Sequence, residues 1–234
     1  MELIPRALIA GLMVQSQVVS TGPVNVMLQA PGTGITRQMI NNIWSDVVKE
    51  YPSYQSLQID PSGNGGLFIG AGPEDVAIIQ PPLVQVRDTV EGGVRPAGNK
   101  VAKVFQSAAH YLPAAAPTNL GVKLVYWAPA PGHDAKSFIL SELLGSSADD
   151  VQRLAGAMDY AGSAKLTLTS ESVVYTLSIE PFNADNSYLF LDLDVQFPGI
   201  VDLNTIQDRL ASVESFMASQ VRDFLDRRSE QWST

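Results

Sequence analysis

Residues 164–228 constrain this chain most, because they end in a long helix with one apolar face that needs a broad surface to lie on. Leu203, Ile206, Leu210, Val213, Phe216, Met217, Val221, Phe224 and Leu225 recur at steps of three and four, while Asp208, Arg209, Glu214, Arg222 and Asp226 fill the opposite side. Most of the stability of such a helix comes from packing that face. Asn204 is expected to cap the first turn with Gln207 three residues on, and Arg227 and Arg228 sit where the helix dipole favours positive charge. The preceding runs supply the surface. Val173, Tyr175, Leu177 and Ile179 alternate with Val174, Thr176, Ser178 and Glu180, and Leu189, Leu191, Leu193, Val195 and Phe197 with Phe190, Asp192, Asp194 and Gln196. Leu166 and Leu168 continue the apolar face in an earlier run, Ser170-Glu171-Ser172 turns the chain, and residues 183–186 mark the next loop. The expectation is a three-stranded antiparallel meander with the terminal helix across its apolar face.

Before this unit, residues 8–19 and 24–30 read as strands and 35–50 as a helix stopped by Pro52. Residues 57–60, 67–70, 76–80 and 84–87 read as short strands, and 100–112 as a helix. Residues 120–128 then read as an apolar strand, 135–144 as a helix capped by Asp134, and 148–158 as a shorter helix. The order strand, helix, strands, helix therefore occurs twice. This predicts an α+β protein of antiparallel sheets packed with helices, in pseudo-duplicated halves 1–115 and 116–234, the second ending in the long amphipathic helix.

That order resembles TATA-binding-protein-like and helix-grip folds, in which a long helix packs on a curved antiparallel sheet. Tyr51-Pro52, the strand 122–127, the acidic strand Leu191-Asp192-Leu193-Asp194-Val195 and a C-terminal helix ending near Trp232 also make the chain similar to a sporadically distributed bacterial protein family. The resemblance implies a bacterial or phage setting and carries over no functional residue.

The charge balance, 15 basic against 24 acidic residues, gives a net −9 and opposes binding to phosphate backbones, so no nucleic-acid partner is expected. With no cysteine, the chain has no disulfide, thiolate nucleophile or thiolate metal site, and a reducing cytoplasm suits it. The run 8–19 is interrupted by Gln15, Ser16 and Gln17 and is too short to cross a bilayer, so neither a membrane span nor a secretion signal is expected.

Motifs for chemistry are weak. Gly63-Asn64-Gly65-Gly66 leads into a strand and lacks a lysine, which favours a hairpin turn over a phosphate loop. Asp192 and Asp194 share a strand face and offer oxygen ligands for a hard cation, although a solvated face is the simpler expectation. His110 and His133 lack metal-site spacing, and no GxSxG elbow accompanies His133-Asp134. No cofactor is expected. Trp44 and Trp127 fall in apolar runs that predict core positions, whereas Trp232, past the periodic part of the helix, is a candidate partner contact. Tyr175, Phe190, Phe216 and Phe224 are the candidates for lining an apolar cleft between helix and sheet. The function expected is that of a non-enzymatic interaction or assembly protein, self-associating or bound to a protein partner, with a small-molecule or peptide binder as the alternative.

Overall fold

The computed structural model describes residues 1–14, 34–72, 74–80, 83–90, 93–112, 117–155, 161–199 and 201–232, with backbone alone at 4–14, 118, 150, 152, 154, 155, 231 and 232. The strand expected over 24–30, residues 15–19 of the first strand and residues 156–158 of the short helix lie outside them.

The fold is α+β. Strand β1 (Ile4–Val14) precedes helix α1 (Arg37–Glu50), and β2 (Tyr54–Ile59), β3 (Gly66–Gly70), β4 (Val76–Gln80) and β5 (Leu83–Thr89) lead to α2 (Val94–Tyr111). The second pass runs β6 (Pro117–Pro129), α3 (Ala135–Phe138) continued by a π turn over Ile139–Leu143, and α4 (Ala148–Ala155). Strands β7 (Ala164–Thr169), β8 (Val174–Pro181) and β9 (Tyr188–Pro198) follow. The terminal helix closes the chain as a 3-10 turn (Leu203–Thr205), α5 (Ile206–Phe216), a π turn (Met217–Val221) and α6 (Arg222–Trp232).

Two compact units result: Ala7–Val122 with Gln196–Leu210, and Met1–Arg6, Lys123–Val195 and Ala211–Thr234. In the first, antiparallel pairing links β2-β3-β4-β5-β1, with Ala10 opposite Val86 and Phe68 opposite Ala77. Ile40, Ile43 and Val47 of α1 and Val101, Val104 and Phe105 of α2 are buried with Phe68, Ile79, Val84 and Val86 of the strands. Phe68 takes the edges of Trp44 at 5.1 Å and Tyr54 at 6.0 Å. In the second unit the order is β6-β9-β8-β7, so β8 stands between β9 and β7 as a meander requires. Leu177, Ile179, Leu189, Leu191 and Leu193 form the buried strand face, and Val213, Met217, Val221 and Leu225 the buried helix stripe.

Each pass puts the last meander strand, β5 or β9, beside its first strand, β1 or β6, with five strands in the first pass and four in the second. In each, the helix after the first strand contacts the last helix: α1 meets α2, and the π turn after α3 meets α6.

Four local expectations are corrected. Helix α2 begins six residues before Lys100, because Pro96 lies in the first turn, where its missing N–H has no intrahelical acceptor to lose. The terminal helix is capped by Asp202, which accepts from the Asn204 N–H at 2.9 Å, rather than by Asn204. Leu166 and Leu168 do lie on the face of Leu177 and Tyr175, opposite which they pair. They are nonetheless 38% and 53% exposed, since β7 ends the strand order. Trp44 and Trp127, expected in the core, are both only half-buried, Trp44 at the margin of the core against Phe68 and Trp127 on the other sheet face against Phe182 at 4.4 Å.

The π turn of the terminal helix has a cause in the sequence. Val213, Met217, Val221 and Leu225 are spaced by four residues, and each such step overshoots a 3.6-residue turn by about 40°. A wider turn at Met217–Val221 absorbs the drift and keeps the stripe on one face.

Candidate functional site

The cleft candidates do not converge on one surface. Tyr175 shares the buried face of β8, and its ring stacks on Phe216 at 4.1 Å and 20°, so each fills the space a flat ligand would need between them. Phe224 carries the Arg228 guanidinium over its ring at 5.7 Å. Phe190 alternates with buried Leu189 and Leu191 and therefore stands on the opposite sheet face. The side chain of Trp232 is outside the described ones.

Asp192 and Asp194 share the Phe190 side of β9. Lys123 of β6 meets Asp192 at 2.7 Å, supplying from the chain the positive charge that a cation would bring. Among the described residues, no three His, Asp or Glu side chains gather as a metal site would need. His110 and His133 are exposed. Asp134 is held by the Ser137 N–H at 3.0 Å, the Ser137 hydroxyl at 2.7 Å and the Asn186 amide at 2.9 Å, a cap that commits both its oxygens. The glycine stretch forms the β2–β3 turn, with the Gly63 N–H bonded to the Asp60 carbonyl and the Asp60 N–H to that of Gly65.

The largest concentration of buried charge lies elsewhere. Lys100 of α2 reaches Asp75 at 2.7 Å and Asp88 of β5 at 2.8 Å, with all three side chains nearly inaccessible. Its ammonium lies 5.2 Å from the centre of the Tyr54 ring, whose buried hydroxyl has no hydrogen-bond partner among the described residues. A Cβ at Gly70 would collide with the Asp75 carboxylate, so the close approach of β3 requires glycine there. Burial pushes the Asp88 carboxyl up, against the lowering effect of Lys100. Because all three side chains are nearly inaccessible and paired with one another, this cluster reads as an internal clamp between α2 and the strands. Two signals in the sequence pointed to it: Asp88 has the inward parity of Val84 and Val86, and Lys100 lies within the stripe of Ala97, Val101 and Val104.

The surface best suited to an interaction is the β7 edge. The chain folds back through the bond from the Ser170 N–H to the Val173 carbonyl at 2.9 Å, with register Thr169↔Val174 through Ala164↔Ile179. Antiparallel alternation then directs the N–H and C=O of Ala164, Leu166 and Leu168 to β8 and those of Lys165, Thr167 and Thr169 away from it. β7 is the last strand in the order, and among the described residues nothing pairs with its outer side. Of the large apolar side chains exposed among the described residues, Leu144, Leu166 and Leu168, two belong to this strand. The sequence reading took both leucines as sheet face and missed the edge, because edge position depends on strand order.

Comparison with known proteins adds little. No protein-family model matches the chain. No curated protein matches it either. Among solved structures, the S. pombe Pct1 RNA triphosphatase aligns over 95% of this chain and 82% of its own, at 8% identity and a TM-score of 0.14, a likeness that carries no argument.

Proposed function

We propose that the protein is a non-enzymatic interaction or assembly component, and that it works through the edge of β7. The observation carrying this reading is a six-residue strand whose outer edge is unpaired among the described residues and whose Leu166 and Leu168 are exposed. An exposed edge of this kind is a template for another strand, and soluble proteins usually blunt it with charge, proline or a covering element. Here Lys165 is the only charge on the strand. The resemblance to a sporadically distributed bacterial family suggests a bacterial or phage system, and the cysteine-free composition suits a cytoplasmic one. An apolar cleft under the terminal helix has less to rest on, since Tyr175 and Phe216 cover each other and Phe190 is on the other face.

Affinity purification of the chain at native expression from its host, beside a Leu166→Ser/Leu168→Ser chain, tests the proposal. The native chain is expected to retain a protein in stoichiometric amount, a second copy included, and the substituted chain to lose it. A native chain that retains nothing, or a partner held equally by both, would sink it.

A further inference from the structure

Resting on that reading, we infer that the occupant of the β7 edge is a second copy of this chain, paired antiparallel through its own β7 about a two-fold axis at Thr167. The strand is complementary to itself in one register. The outward-facing backbone groups belong to Lys165, Thr167 and Thr169, and a two-fold at Thr167 sets Thr167 opposite Thr167 of the second copy and Lys165 opposite its Thr169. All three outward residues are then in hydrogen-bonded pairs. An axis placed between two residues would point the outward groups at residues already bonded to β8. An axis one residue away, at Leu166 or Leu168, leaves Thr169 or Lys165 facing a residue beyond the paired strand.

The same register solves the exposure of the leucines. Leu166 falls opposite Leu168 of the second copy, and Leu168 opposite its Leu166, in the non-hydrogen-bonded pairs where side chains approach most closely. Four leucines are thereby covered on one face, and threonines pair on the other. The charges agree as well: Lys165 avoids its own copy and lies diagonal to the exposed Glu171 that begins the partner's turn, within reach of long side chains, and symmetry repeats this contact. The two-residue turn at Glu171-Ser172 leaves no long loop at that end of the edge. So short a pairing is small beside standard interfaces, which sets the expected dissociation constant in the micromolar range.

Light scattering on the purified chain from about 1 to about 100 µM should show a rise from one to two chain masses. Thr167→Pro removes the outward N–H at the two-fold while keeping every bond to β8, and is expected to weaken dimerisation by about tenfold or more at unchanged helix content. Leu168→Lys serves if the proline variant fails to fold, with the same loss expected. Because the chain has no cysteine, Thr167→Cys should link to itself through a short bismaleimide, whereas Gln38→Cys on exposed α1 should not. A dimer indifferent to Thr167→Pro and Leu168→Lys, or one that Thr167→Cys cannot link, overturns the inference. A strict monomer whose host partner still depends on Leu166 and Leu168 overturns the second copy and leaves the interaction reading standing. A strict monomer with no such partner removes both.

Discussion

Replacing Lys100 with methionine is expected to destabilise the protein by about 3–5 kcal/mol and to lower its melting temperature by roughly 10 °C. Lys100 bridges Asp75 and Asp88 at 2.7 and 2.8 Å, where little of any of the three side chains meets water. Without it two carboxylates face each other in a low-dielectric interior with no counter-charge, and burial already pushes the Asp88 carboxyl up. The cost comes from the unpaired charges, so adding Asp75→Asn and Asp88→Asn to Lys100→Met should recover most of it. Thermal or urea unfolding of these variants checks both statements. A loss below about 1 kcal/mol for Lys100→Met, the range of exposed ion pairs, would mean that the cluster is not a clamp.

The same cluster, together with Tyr126, sets the response to alkali: stability should hold to about pH 10 and fall beyond it. Burial alone would lower the Lys100 pKa, but hydrogen bonds and attraction from Asp75 and Asp88 outweigh it and hold the ammonium above its ordinary value. Burial, then the charges of Asp75 and Asp88, push the Tyr54 hydroxyl far up, and burial with Glu214 does the same at Tyr126. Each group thus keeps its proton more tightly folded than unfolded. The stability it contributes is complete below the unfolded pKa and is lost as pH rises through the folded one, at about 1.4 kcal/mol per pH unit for each group. Tyr54→Phe removes one group and a buried hydroxyl without a described partner, so it should leave neutral stability near that of the native chain and soften the alkaline decline. Melting temperatures from pH 8 to 12 decide this, and an alkaline decline in Tyr54→Phe equal to the native one would contradict the assignment.

Periodicity was enough to read much of this fold. The alternation of Leu189 to Phe197 and the stripe from Ile206 to Leu225 appear as β9 and the terminal helix, because burial of one face is written into strands and helices as a repeat. Misreadings arose where a local rule met a tertiary exception. Pro96 and Gly98 look like helix breakers, yet the proline lies in the first turn of α2, and the glycine lets Leu210 approach, since a Cβ there would stand 3.1 Å from Leu210 Cδ1. The candidate edge was hidden for a different reason. Leu166 and Leu168 have the alternation of a covered strand, and only the order β6-β9-β8-β7 makes them terminal. Asp192 likewise read as a ligand or a solvated carboxylate because its partner Lys123 is distant in sequence.

Residue-resolved amide exchange along β7 tests most directly whether this edge is where the protein meets a partner. In dilute protein the N–H groups of Leu166 and Leu168, bonded to β8, should exchange slowly and those of Lys165, Thr167 and Thr169 fast, an alternation fixed by the hairpin register. On assembly, whether by raising the concentration or adding the purified partner, the three fast amides should become protected while the others stay unchanged. Three outward amides that remain fast in the assembled state, or that are already protected in the dilute monomer, would contradict the account.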